Sequence, residues 1–267
     1  MDAFPGSDPG LVARRAASFG GSAAAYAQER PDYPDAAVRW ALEPVAGRGP
    51  VRVLDLAAGT GKLTQVLLRN GVEAARVVAV EPDGAMLDEL RRRVPGVRAV
   101  EGSAERIPLS DGAVDAVVVG QAMHWFGLDR ALPEIHRVLA EGGVLAGLWN
   151  TDDDRVPWVA EMKRLARSSV TFTKWRPKSL PETAWFPALE RVEFPHGQRR
   201  TAESMAATIR THSHMLVLDE TEREQVIARV LDHLRRSPET GAGEFELPIV
   251  TLAVRGCGRR PGRRAGR

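Results

Sequence analysis

From Val51 onward the apolar positions fall into a regular rhythm. The run VRVLDL (51–56) is apolar on both parities, the pattern of a strand buried on both faces. Residues 62–70 then carry Leu63, Val66 and Leu67 at helical spacing, and Gly71 stops them. RVVAVE (76–81) predicts a second strand. Asp83 is placed to cap a helix whose Met86, Leu87, Leu90 and Val94 face inward and which Pro95 ends. VRAVEG (97–102) and VDAVVVG (114–120) predict a third and a fourth strand, and GGVLAGLWN (142–150) a fifth. A helix is expected over roughly 129–139, with Pro133 opposing it unless the helix starts late or bends.

The flanks are less regular. Residues 22–45 read as helical, interrupted by Pro31 and Pro34 in ERPDYP. Residues 151–187 show no clear strand. VEFPHGQRRT (192–201) predicts a strand, two helices follow at about 202–212 and 219–236, and FELPIVTLAVRG (245–256) predicts a last strand, with Pro248 near its start or on an edge. Strands alternating with helices, with Val/Leu/Ala runs for strands, predict an α/β fold built on a parallel sheet covered on both faces. Ligands of such sheets sit at the carboxyl ends of the strands, where strand order reverses.

Composition narrows the setting. A chain of 267 residues with 43% hydrophobic and 27% charged residues fits one large domain with an inserted or appended cap. No apolar run reaches the roughly 18 residues of a membrane span, and the acidic, Pro/Gly-rich start MDAFPGSDPG is unlike a secretory signal. The single cysteine, Cys257, excludes an internal disulfide, and no Cys/His cluster has zinc spacing, so no metal is expected. The expectation is a cytoplasmic enzyme. The formal charge of +2 misleads, because residues 255–267 (RGCGRRPGRRAGR) hold six arginines and no acid; the rest of the chain is net acidic. Residues 257–267 are expected to form a disordered basic tail. The stretch KRLARSSVTFTKWRPK (163–178) holds six basic residues and no acid, a solvated face or an attractor for an anionic substrate.

The chemistry centres on VLDLAAGTGKLT (53–64), a Gly-rich turn between a strand and a helix. A phosphate-binding P-loop needs Gly at 56 and Ser or Thr at 63, where Leu56 and Leu63 stand. A nicotinamide dinucleotide fingerprint needs a third glycine that neither register supplies: Thr64 or Lys62 occupies its place. S-adenosylmethionine, which has adenosine but no phosphate, fits better. Asp55 supplies an acid near the strand end, Gly59 and Gly61 an open backbone, and Glu81, at the end of the second strand, an acceptor for two ribose hydroxyls.

The pieces DLAAGTG (55–61), VVAVEPDGAML (77–87), VEGSAERIPLSDGAVDAVVVGQAMHWF (100–126) and HRVLAEGGVLAGLWN (136–150) resemble the class I S-adenosylmethionine-dependent methyltransferases. The closest likeness is to the small-molecule branch that includes trans-aconitate methyltransferase-like enzymes. ERPDYP (29–34) and ELPIVTLAVRG (246–256) also look familial. The resemblance implies a Rossmann-like seven-stranded, mostly parallel sheet with helices on both faces, a last strand running antiparallel and a mainly helical substrate cap. It divides the chain into a segment closing over the cofactor (1–45), a cofactor-binding core (46–150), a cap with the final strands (151–256) and the tail.

The family pattern is acid-x-Gly-x-Gly-x-Gly, and Ala57 replaces its first glycine; the expectation is that Ala57 has a negative φ and that the cofactor still binds. The resemblance further places Ser103, Ala104 and Glu105 beside the adenine, Pro82 and Met86 along the adenosine, Gln121 and Ala122 along the methionine arm, and Tyr26 and Arg30 in the closing segment. His124 is the candidate general base, and His212 and His214 are candidates for the substrate cavity. The acceptor is expected to be a small molecule. GQAMHWF stands where base-modifying relatives carry an Asp/Asn-Pro-Pro-aromatic loop, and Cys257 is no candidate for a nucleophile on a pyrimidine, so nucleic acid is not expected; nor is a membrane. Two rival readings stay open: a cofactor-binding regulatory or partner protein without methyl transfer, and an NAD-dependent oxidoreductase.

Overall fold

The structure is a computed structural model and describes residues 30–168 and 180–258. Tyr26, the end of the 163–178 basic stretch and residues 259–267 lie outside the described residues. In chain order the regular elements are α1 (Asp35–Leu42), β1 (Val53–Leu56), α2 (Lys62–Arg69), β2 (Val77–Glu81), α3 (Gly84–Arg93), β3 (Arg98–Glu101), β4 (Val114–Gly120), α4 (Leu128–Val138), β5 (Leu139–Asp152), α5 (Pro157–Leu165), β6 (Glu190–Arg200), α6 (Ala202–Arg210), α7 (Ser213–Leu216), α8 (Glu220–Arg236) and β7 (Phe245–Cys257).

The strands form a seven-stranded sheet of order β3-β2-β1-β4-β5-β7-β6. β1 pairs in parallel with both β2 and β4, and β4 in parallel with β5. β7 is antiparallel to β5 and to β6, as the resemblance implies. Alternate residues of the central strands feed two cores. Val53, Val77, Val118, Ala146 and Leu148 pack with Ala37, Val38 and Ala41 of α1 and Leu63, Val66 and Leu67 of α2. Leu54, Leu56, Val80, Val117, Val119 and Leu145 pack on the other face with Leu132, Ile135 and Val138 of α4. This is the doubly covered sheet that the continuous apolar runs predict.

A third core joins α5, α6 and α8 to the start of β7 through Trp158, Met162, Met205, Ile209, Val230, Leu234, Phe245 and Leu247. These helices fall within the stretch expected to form the cap. α6 begins with a capping box, Thr201 and Ser204 bonding each other's backbone N–H at 3.2 and 2.9 Å. α8 begins on Asp219, which accepts from Glu222 N at 2.8 Å.

Several boundaries differ from the sequence pattern for physical reasons. α4 keeps Pro133 in its interior; the apolar face of Ala131, Leu132, Ile135 and Val138 against the sheet outweighs the one missing N–H. α5 lies in a region where no strand is expected and starts with Pro157, a residue suited to a helix's first turn. β7 extends through Cys257, which pairs with Val144 at the amino end of β5, and Gly258 N bonds Gly143 O at 2.8 Å. The ordered sheet therefore includes the beginning of the expected tail. Arg255, first of the tail arginines, is part of β7: it stacks on Trp40 at 4.2 Å and pairs with Glu43 and Glu190 at 2.8 and 2.7 Å.

Candidate functional site

Strand order reverses between β1 and β4, because β2 and β3 lie on one side of β1 and β4 and β5 on the other. The loops after β1 and β4 flank this switch point at the carboxyl edge. The loop after β1 is the Gly-rich turn. Its backbone is left-handed at Ala57 (φ 56°), Gly59 (φ 56°) and Gly61 (φ 84°). The negative φ expected for Ala57 is therefore incorrect. The turn's geometry outweighs the alanine's preference, at a cost of about 1–2 kcal/mol. Leu56 pairs with Val80 in the sheet before that residue, and after it Ala58 N bonds Val80 O at 3.1 Å, Gly61 N bonds Ala58 O at 2.9 Å and Gly59 N bonds Glu81 at 2.8 Å, so the loop is fixed on both sides.

The two glycines do different things. A Cβ on Gly61 would lie 3.0 Å from side-chain atoms of Leu90 and Val94, so its absence lets the loop press against α3. A Cβ on Gly59 would meet nothing within 4 Å. Gly59 thus faces open space beside Glu81, a cradle in which a ligand can approach bare backbone.

The two acids also differ. Glu81 is almost buried and accepts from Gly59 N at 2.8 Å and Asp83 N at 3.0 Å. Burial raises its pKa, and the two N–H donors oppose the rise. Asp55 is fully buried and accepts from Thr64 Oγ1 at 2.6 Å, bracing the first turn of α2. Burial pushes its pKa up to about 7, against the Thr64 bond and with the Glu81 charge adding to the rise. Asp55 Oδ1 and Thr60 Oγ1 are buried without a hydrogen-bond partner. A bare loop beside a carboxylate at the neighbouring strand end fits an adenosyl ligand with hydroxyl donors.

A family model described as a methyltransferase domain matches residues 54–147. An uncharacterized methyltransferase of Mycobacterium bovis is 39% identical over 239 residues, covering 89% of this chain and 94% of the relative. A methyltransferase-like protein of Schizosaccharomyces pombe, also uncharacterized, is 33% identical over 88% of this chain and 93% of its own. A solved chain from Anaeromyxobacter dehalogenans, assigned to the type II methyltransferases, superposes with a TM-score of 0.61 at 26% identity, covering 86% of this chain and 97% of that one.

The chain belongs to the class I S-adenosylmethionine-dependent methyltransferases.

In this methyltransferase the other expected residues are distributed as follows. Asp83 caps α3 by accepting from Met86 N at 2.9 Å; Met86 is buried, and Pro82 is exposed on the loop between. Ser103 bridges to Arg106, Ala104 is buried in the core on the α4 side, and Glu105 accepts from Gly127 N at 2.9 Å, holding the loop before α4. Gln121 follows β4 with a left-handed backbone (φ 57°), and its Nε2 donates to Asn150 O at 2.8 Å. A strained non-glycine residue at the switch point belongs to the pattern of functional sites. Ala122 opens the 3-10 turn Met123–Trp125, which carries His124, half-buried, its ring 4.7 Å from that of Trp125. His212 and His214 flank the start of α7 with their rings 5.6 Å apart, and Arg30 Nη2 donates to Thr211 O beside them at 3.2 Å. Arg30 is thereby brought to the cap.

Lys163 and Arg164, the described start of the basic stretch, pair with acids outside that stretch or before it: Lys163 with Asp154 at 2.7 Å and Arg164 with Glu161 at 2.6 Å. Cys257 lies at the amino edge of β5, opposite the crevice, which removes it as a nucleophile on geometric grounds.

Pattern reading missed Asp32, Tyr33, Lys62 and Asn150. Lys62 Nζ lies 3.1 Å from Asp32 Oδ1, and burial lowers the pKa of its amine. Asn150 Nδ2 donates to Asp32 O at 3.0 Å. Tyr33 is buried against Gly120. The signals were present as ERPDYP and as the polar residue ending the apolar run GGVLAGLWN, but neither reveals its partner.

Proposed function

We propose that this methyltransferase binds S-adenosylmethionine in the crevice at the switch point and transfers its methyl group to a small-molecule acceptor by in-line displacement. The observation that carries the reading is the open space at Gly59 beside Glu81. The sulfonium of the cofactor supplies an already activated methyl group. The residues of this chain then need to hold, orient and exclude water. Glu81 would accept from the ribose hydroxyls while keeping its bonds to Gly59 and Asp83; Ser103, Ala104 and Glu105 would border the adenine, and Gln121 and Ala122 the methionine arm. His124 takes the proton of a hydroxyl acceptor, and a carboxylate acceptor needs no such step.

The charges at the carboxyl edge are mixed: Asp152 at the end of β5 feels Lys163, Arg30 and Arg200 but also Asp154, and Lys62 feels Arg93 and Arg200 but also Asp32. Lys163 and Lys62 pair with Asp154 and Asp32 at 2.7 and 3.1 Å, so the field there selects no charge on the acceptor.

The test is release of S-adenosylhomocysteine on incubation with S-adenosylmethionine and acceptors bearing carboxylate, hydroxyl or amine groups. Turnover of at least one of these acceptor classes is expected. Cofactor binding without turnover on any acceptor favours a regulatory role. A melting temperature raised by NAD(H) and not by S-adenosylmethionine overturns the cofactor assignment.

A further inference from the structure

Residues Arg30 to Tyr33 form a strap across the carboxyl edge, fastened to four separate elements. Arg30 bonds Thr211 O at the end of α6 at 3.2 Å. Asp32 pairs through its carboxylate with Lys62 of α2 at 3.1 Å. The carbonyls of Pro31 and Asp32 accept from Asn150 Nδ2 at 3.4 and 3.0 Å. Tyr33 packs on Gly120 at the end of β4, where a Cβ would fall 2.5 Å from its hydroxyl oxygen.

Asn150 is the residue on which these contacts converge. Its amide nitrogen faces two carbonyl oxygens, which only accept, so its Oδ1 must face Thr251. Thr251 Oγ1 donates to that oxygen at 2.6 Å. The hydroxyl's single proton is then used, so His196 Nε2, 2.9 Å from the same Oγ1, is the donor to it. Burial lowers the His196 pKa and favours a neutral ring, here in the Nε2–H tautomer. Finally, Asn150's main-chain oxygen accepts from Gln121 Nε2 at 2.8 Å. One buried amide thus fixes the strap, and through its backbone the strained residue after β4. A chain of bonds running to β6 fixes the amide in turn.

We infer that Asn150 is a positioning residue for cofactor binding: it holds the Pro31–Asp32 backbone and Gln121 in register over the crevice, and Thr251 and His196 lock its orientation. This rests on the cofactor assignment proposed above. The probe is S-adenosylhomocysteine, measured by calorimetry on the full chain, with hydrogen exchange followed over residues 30–34. Asn150→Asp keeps the acceptor for Thr251 but sets a carboxylate against two carbonyls; it is expected to weaken binding about tenfold or more. Thr251→Val leaves both strap bonds and removes the lock, and is expected to weaken binding about two- to fivefold.

Lys62→Met releases the other hold on Asp32. Because both holds act on one residue, the double variant Asn150→Asp/Lys62→Met is expected to lose less than the product of the two single losses. The wild type is expected to slow exchange in 30–34 on binding, and Asn150→Asp to abolish that slowing, which a purely structural role would not do. Should Asn150→Asp fail to fold, Thr251→Val and Lys62→Met carry the same test through exchange. Wild-type affinity in Asn150→Asp, or strictly multiplicative losses, overturns the inference. A wild type that does not bind S-adenosylhomocysteine overturns the cofactor assignment and this inference with it.

Discussion

The Glu81 carboxylate accepts the Gly59 N–H at 2.8 Å, tying the end of β2 to the middle of the Gly-rich loop. This one contact joins the acid and the bare backbone that the cofactor reading requires. Glu81→Ala is expected to weaken S-adenosylhomocysteine binding by about 1–3 kcal/mol, the range for charge-assisted hydrogen bonds. Calorimetry measures it; an unchanged affinity removes Glu81 from the ribose site.

Substitutions at Gly59 and Gly61 are expected to separate binding from folding. Gly59→Ala projects its methyl into open space, so it costs only the left-handed strain of about 1–2 kcal/mol. Its expected signature is a small fall in melting temperature with a large loss of cofactor affinity. Gly61→Ala drives its methyl to 3.0 Å from Leu90 and Val94 and is expected to destabilise the fold more. Paired melting and binding curves decide this, and the reverse ranking would be incompatible with the cradle described here.

Asp55 is expected to make stability depend on pH. Its folded pKa of about 7 lies above the ordinary carboxylate value of 3.8, so the folded state binds the extra proton between those two values. Stability contributed by the protonated form is present at the acid end and is lost as pH rises from about 4 to 7, by up to about 4 kcal/mol at roughly 1.4 kcal/mol per unit. Asp55→Asn retains an acceptor for Thr64 and is expected to flatten this slope. Urea unfolding at pH 5 and pH 7.5 tests it: equal slopes in both proteins would show that Asp55 does not titrate in this window.

Arg255 anchors the last strand. Its Nη1 donates to Trp40 O, and its guanidinium stacks on the Trp40 ring while pairing with Glu43 and Glu190. The two acids are well exposed, so water can solvate them when the arginine is lost. Arg255→Ala is therefore expected to cost about 1–2 kcal/mol, and Arg255→Lys to recover only part, since it keeps the charge without the planar fork. Chemical denaturation provides the measurement.

The role proposed for His124 as a base predicts a difference between acceptor types. With a hydroxyl acceptor, His124→Gln is expected to lower kcat by about 10²–10⁴. With a carboxylate acceptor it is expected to leave kcat nearly unchanged. Equal rates for both proteins on a hydroxyl acceptor would remove His124 as a base.

The order of strands and helices from β1 to β5, both faces of the central sheet and the Gly-rich turn with Asp55 and Glu81 were determined by the sequence alone, because each is encoded within a few neighbouring residues. Apolar runs specify buried strands, helical spacing specifies the packed faces of α2 and α3, and Asp83 caps where it stands. Tertiary structure decided what depends on partners far along the chain. Ala57 takes a left-handed backbone because Val80 and Glu81 hold the loop around it. Asn150 meets Asp32 across 118 residues and Thr251 across 101, and Arg255 meets Trp40 across 215. A hydrogen bond or stacked ring between such residues leaves no periodic trace in either segment, so it exists only once the sheet has brought their ends together.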